Sequence, residues 1–116
     1  MRARKLRIEQ LIKRAISTIL MSEINIQSHI DFFPSISRVE LSKDLSHAKI
    51  FLLFDENNKS KSDRLMKFLK NNIHSIRKSL AFHANLKYIP KIEFKLDQQL
   101  VYLQKLYDQI DQTQST

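Results

Sequence analysis

Apolar residues along this 116-residue chain switch between two spacings, and each switch predicts a change of element. Ile8, Leu11, Ile12, Ala15, Ile16, Ile19 and Leu20 recur at three- and four-residue steps, which places them on one stripe of an α-helix. Arg4, Arg7, Lys13 and Arg14 fall largely off that stripe, so an amphipathic helix is predicted over about 3–23, its basic end leading. The period then falls to two. Residues 35–41 and 47–54 read as strands joined by Ser42-Lys43-Asp44-Leu45-Ser46, whose serines and aspartate favour a turn. The second strand is apolar on both faces, with Ala48, Ile50, Leu52 and Phe54 on one and Phe51 and Leu53 on the other. It is expected to be well buried, Phe51, Phe54, Phe68 and Phe94 all serving the core. Asp55 to Lys59 follow as a polar loop.

Ser60, with Asp63 three residues on, resembles a capped helix start. Leu65, Phe68, Leu69, Ile73, Ile76, Leu80 and Ala84 carry the helical spacing to about residue 86. Asn71 and Asn72 are poor helix formers near its middle, so a kink or two abutting helices is predicted there. Pro90 to Asp97 alternate, with Ile92, Phe94 and Leu96 on one face and Lys91, Glu93 and Lys95 on the other, as in a half-exposed strand. Asp97 is placed to cap a last helix over about 98–110 on Leu100, Leu103, Leu106 or Tyr107, and Ile110. That helix is expected to pack on its own domain, with 111–116 a frayed tail.

The order α-β-β-α-α-β-α predicts an α+β fold with helices segregated from a small sheet. Two helices between the second and third strands make it the type-II KH arrangement, hence KH-like. No repeat or linker interrupts it, so a single domain over 1–116 is expected, its core at about 4–97. A KH domain grips RNA with a GXXG loop between those helices, and this chain contains no glycine. The same absence excludes a P-loop, a dinucleotide fingerprint and a nucleophile elbow, whose backbones only glycine adopts cheaply.

Charge adds a partner class. Twenty Lys and Arg against twelve Asp and Glu give a formal net charge of +8, which points to a polyanion, most often nucleic acid. The surplus is uneven: residues 1–30 are net +4 and 61–97 net +6, while 31–60 and 98–116 are each net −1. A surface patch is therefore expected rather than a uniform halo. The candidate RNA-binding residues are Arg4, Lys5, Arg7 and Arg14 on the first helix, Lys43 in the turn, and Lys70, Arg77, Lys78 and Lys87 around the helix pair. Charge reversal at Arg77 and Lys78 is expected to weaken binding without unfolding. The competing reading makes each a solvated charge on a polar face.

Other chemistry is sparse. No cysteine is present, which excludes disulfides and thiolate metal sites. His29, His47, His74 and His83 lack zinc-site spacing, and Asp55 and Glu56 sit in a polar loop without burial to tune them. No metal, cofactor or enzymatic activity is expected. Phe32 and Phe33 precede a proline in a loop, where packing on the core outweighs base stacking as a reading; Tyr88 fits either. The basic start is followed by apolar residues broken by Glu9, Gln10, Lys13 and Arg14, unlike a signal peptide or a membrane span; a cytoplasmic protein with no membrane partner is expected. A protein-interaction adaptor acting through Tyr102, Leu103, Leu106 and Ile110 of the last helix is the alternative function.

Ser42-Lys43-Asp44-Leu45-Ser46-His47-Ala48-Lys49-Ile50-Phe51 resembles the strand–turn–strand signature of the ribosome-binding factor A family. Arg7-Ile8, Ile76-Arg77-Lys78-Ser79-Leu80 and Pro90 to Asp97 agree with it in order and spacing, so the resemblance covers about residues 4–110. It implies a KH-like domain in which a helix-kink-helix, usually marked Ala-X-Gly, replaces the GXXG loop. Asn72-Ile73-His74 stand at the matching positions and depart from both small residues. The resemblance further implies a non-enzymatic monomer that binds the 30S ribosomal subunit, assists late folding and processing of 16S rRNA, and matters for growth in the cold.

Overall fold

The elements follow the two spacings closely. The computed structural model describes residues 2–24, 34–53, 59–97 and 106–110. Helix α1 spans Arg2–Thr18 and runs on as a π-helical turn, Ile19–Glu23. Strands β1 (Ser35–Leu41) and β2 (His47–Leu53) come next, then helices α2 (Lys59–Asn71) and α3 (Ile73–Ala84), and strand β3 (Lys91–Leu96). Residues 106–110 are helical. Phe32, Phe33, Phe54, the 55–58 loop, the rest of the expected last helix and the 111–116 tail lie outside the described residues.

The sheet has the order β1-β2-β3, with β1 antiparallel and β3 parallel to β2. Parallel neighbours need a long crossover, and α2 with α3 supplies it. Leu41, Ala48 and Ile92 share one row, and Val39, Ile50 and Phe94 the next core-facing one. Ile12 and Ile16 of α1, Ile19 and Leu20 of the π-helical turn, Leu65 and Leu69 of α2, and Ile76, Leu80 and Ala84 of α3 join this face in one core cluster. Burying each large aliphatic contributes roughly 1.5–3 kcal/mol. Glu9 of α1 also accepts the Leu41 backbone N–H at 2.8 Å, which ties β1 to the helix above it.

Three details depart from the pattern. The expected burial of β2 on both faces is not found. Phe51 is half-buried and lies off the core cluster, under the Arg38 guanidinium 4.1 Å from its ring centroid. Helices cover the other face, and a cation–π contact covers this ring instead. Second, pairing jumps from Ile36↔Leu52 to Arg38↔Phe51, a β-bulge at Ser37. The Ser37 hydroxyl donates to Asp97 at 2.6 Å, and Asp97 is buried beside Arg38, its own N–H bonded to the Leu52 carbonyl at 2.8 Å. Third, α2 already includes Lys59, so Ser60 lies inside its first turn rather than before it.

The kink between α2 and α3 is present and narrow. Asn72 breaks the helix with φ −106° and ψ 13°. Its N–H is shared by the Phe68 and Leu69 carbonyls at 3.1 and 3.2 Å, and its Nδ2 donates to Phe68 at 2.8 Å. Ile76 N–H on the Asn72 carbonyl then starts α3. A negative φ is open to any L-residue, which is how a chain without glycine makes this break. Asn85 ends α3 in the left-handed region at φ 49°, a conformation asparagine tolerates better than most.

At the end of α1, Ile24 N–H reaches the Ile19 carbonyl at 2.9 Å, the five-residue step of a π-turn. Thr18 Oγ1 and Ser22 Oγ bond back to the carbonyls of Arg14 and Thr18 at 3.1 and 2.7 Å, competing with the regular ladder. Glu23, at the end of the turn, pairs with His83 of α3. The His83 hydrogen bond, with a second from Ser79, holds the Glu23 carboxyl below its ordinary value.

Candidate nucleic-acid interface

Two polar clusters shape the surface at one end of the sheet. In the β1–β2 turn, Asp44 accepts the Ser42 and Ser46 hydroxyls at 2.7 Å each and the Ser46 N–H at 3.1 Å. These bonds, the Ser46 hydroxyl first, lower its pKa to about 2. The knot holds Leu45 at φ 62°, a region that costs a non-glycine residue roughly 1–2 kcal/mol. Packing of the Leu45 side chain against the core cluster offsets that cost. In the second cluster, Arg77 donates through Nε to the Pro90 carbonyl at 3.2 Å and through a terminal nitrogen to Ile89 at 3.1 Å. One guanidinium thereby sets the path of residues 85–90 into β3.

Between these clusters and the first turns of α1 lies a cleft of about 630 Å³. Arg4, Arg77, Lys87 and Lys91 converge on it from three parts of the chain, with Asp44 as the acid on its lining. Tyr88, also on its wall, is 78% exposed, and Lys87 Nζ stands 5.5 Å from its ring centroid. Cations beside an exposed aromatic suit a phosphate chain whose bases are accessible.

The remaining candidates divide among other surfaces. Lys43 is exposed in the turn that borders the cleft. Arg7 and Arg14 are exposed on α1, where the helical repeat puts them on the same side as Arg4. Lys5 is half-buried on the adjoining side. Lys70 lies elsewhere, on a groove of about 520 Å³ shared with Lys67 and floored by Met66, Ile73, Ile92 and Phe94. Of the kink residues, Ile73 lines this groove while His74 is exposed. Lys78 is exposed on α3.

Arg77 differs from its expectation. Its side chain is half-buried and committed to two carbonyls, so reversing its charge breaks a structural grip as well as removing a cation. Lys91 and Lys67 were not singled out as contacts by the sequence, which left Tyr88 between base stacking and core packing. Lys91 had a signal, since it opens the solvent face of an alternating strand, and Lys67 sits one helical turn before Lys70.

Similarity to known proteins agrees with this architecture. The model of a family described as ribosome-binding factor A matches residues 4–110. A protein named Ribosome-binding factor A from Caldicellulosiruptor saccharolyticus is 34% identical over 96 residues, 83% of this chain and 71% of that protein. One of the same name from Mycoplasmopsis agalactiae is 37% identical over 93 residues, 80% of this chain and 77% of that one. The crystal structure of ribosome-binding factor A from Thermus thermophilus superposes with a TM-score of 0.63 at 18% identity, covering 79% of this chain and 94% of that one. The α+β fold is thus KH-like, with a helix-kink-helix between β2 and β3. By its sequence and its fold, the chain belongs to the ribosome-binding factor A family.

Proposed function

We propose that this protein binds the small (30S) ribosomal subunit by gripping 16S rRNA, and that it assists late subunit maturation and rRNA processing, with most consequence in the cold. It acts as a cytoplasmic monomer, one RNA-binding domain with no catalytic step of its own. The observation that carries this reading is the convergence of Arg4, Arg77, Lys87 and Lys91 on one cleft beside Tyr88, in a family member of net charge +8. Cations on a rigid scaffold bind phosphates and release counterions. The contact reads RNA by shape rather than by base sequence. Lys43 extends the same surface from the turn, and Arg7 and Arg14 extend it along α1.

Sedimentation tests it. Purified protein is spun with small subunits, large subunits and intact ribosomes at low and moderate salt. Preferential co-sedimentation with small subunits, weakened by salt, is the expected result. Protein that stays at the top of every gradient, immature small subunits included, defeats the reading.

A second reading has one observation in its favour. All five residues of the described helical segment 106–110 are exposed, including Leu106, Tyr107 and Ile110. An adaptor would use these side chains on a protein partner. Deleting residues 98–116 separates the two, since the rRNA reading predicts retained subunit binding and the adaptor reading a lost protein partner.

A further inference from the structure

The outer face of α3 carries an aromatic ring that takes no part in the core. Phe82 is 86% exposed, more than any other large hydrophobic among the described residues. Its surroundings make it informative. His74 and Lys78 share its side of α3 at helical steps and are exposed, as is Asn85 just past the helix end. Helix α3 itself contains no acidic residue, and the neighbouring Glu23 carboxylate is taken up by His83 and Ser79. His83, itself held by Glu23, meets the Phe82 ring at 5.7 Å between centroids and 85° between planes. That contact restrains the ring without covering it.

We propose that Phe82 is a stacking platform for an unpaired RNA base, with Lys78 holding the adjoining phosphate. The site deepens the rRNA-binding reading above and rests on it. Every base offers a π-face, so an exposed ring accepts unpaired nucleotides without regard to sequence, whereas a paired base is already stacked. Charge decides for RNA over protein. Helix α3 supplies the fixed cation Lys78 and no acid of its own, and the Glu23 carboxylate beside it is occupied by His83 and Ser79, on a chain with a surplus of eight positive charges. Lys78 one turn before the ring then matches the phosphate flanking a stacked base.

The experiment titrates full-length protein and its Phe82→Ala, Phe82→Trp and Lys78→Ala variants into two RNAs. One is a single strand carrying 2-aminopurine, whose fluorescence is quenched on stacking; the other is a blunt duplex. Circular dichroism and thermal melting of each variant check the fold, which an exposed side chain leaves intact. Phe82→Ala is expected to bind the single strand about 5- to 150-fold more weakly, with the quench lost. Phe82→Trp keeps both, and duplex affinity does not change. The dependence on log salt is unaltered in Phe82→Ala and shallower by about 0.7 in Lys78→Ala. Equal single-strand affinity for wild type and Phe82→Ala overturns the proposal while both still sediment with small subunits. Wild type that binds neither RNA nor subunits overturns it together with the reading beneath it.

Discussion

Arg77 of α3 and Pro90, the residue before β3, are joined by a 3.2 Å hydrogen bond from the guanidinium Nε to the proline carbonyl, and the same guanidinium reaches Ile89 at 3.1 Å. The grip carries Lys87, Tyr88 and Lys91 to the cleft. Hydrogen bonds from a charged donor are worth roughly 1.5–3 kcal/mol each. Because the guanidinium is only half-buried, the two together fall short of their sum, and Arg77→Ala should lower stability by about 2–4 kcal/mol in urea unfolding. Arg77→Lys should recover only part of this, because an ammonium lacks the planar fork.

Lys87 and Lys91 are exposed and share the cleft. Lys87→Glu and Lys91→Glu should each leave the urea midpoint within about 0.5 kcal/mol of wild type. Each should weaken small-subunit binding, and replacement by alanine should make its salt dependence shallower by about one phosphate. Binding isotherms at several salt concentrations check this. An unchanged slope in both alanine variants removes the cleft from the interface.

Asp44 titrates at about 2, below its ordinary 3.8, because the Ser46 and Ser42 hydroxyls favour its ionised form. A folded value below the unfolded one contributes stability that is fully present above pH ~4 and is lost as pH falls through ~2. Asp44→Asn should flatten the acid limb of the stability curve across that window and lower the plateau above pH ~5, whose slope stays unchanged. Carboxyl chemical shifts through the same range give the folded value directly.

Asn72 breaks the helix with a negative φ and a side-chain bond to Phe68. Glycine there has no positive φ to serve, so Asn72→Gly should destabilise by about 1–2 kcal/mol, combining the lost bond with backbone entropy. Asn72→Ala should cost about 1 kcal/mol. Thermal unfolding distinguishes them; a stabilised glycine variant contradicts the geometry.

Ser37 and Asp97 meet 60 residues apart in sequence, at 2.6 Å. Asp97 is 2% exposed, so Ser37→Ala removes a donor from a buried carboxylate at a cost of about 1–3 kcal/mol. Denaturant midpoints measure it. A change below about 0.3 kcal/mol means that the other contacts of Asp97 carry it alone.

Local order was legible because it is short-ranged. Three- and four-residue steps located α1, α2 and α3, alternation located β3, and Asn71-Asn72 marked the break, since each rests on neighbours within one or two turns. The serine-rich turn between β1 and β2 was legible for the same reason. The face that Phe51 presents was not: the strand pattern is apolar on both sides, and only the placement of helices on one side decides which is buried. The bulge at Ser37 was equally hidden, because an extra residue shows only against its partner strand.

The site divides in the same way. Charge counting placed a cationic surplus in residues 1–30 and 61–97, and it named Arg4, Arg77 and Lys87 before their meeting place was known. Their convergence depends on the parallel pairing of β3 with β2, which brings the loop before β3 beside the β1–β2 turn and α1. Arg77 shows the limit most plainly. Its type and position announced a cation, but whether a guanidinium faces phosphate or backbone carbonyls depends on which carbonyls the fold leaves within reach. Composition and periodicity determined what the parts of this protein are. The pairing of segments distant in sequence, a tertiary event, decided which of its charges hold the fold together and which remain available to a partner.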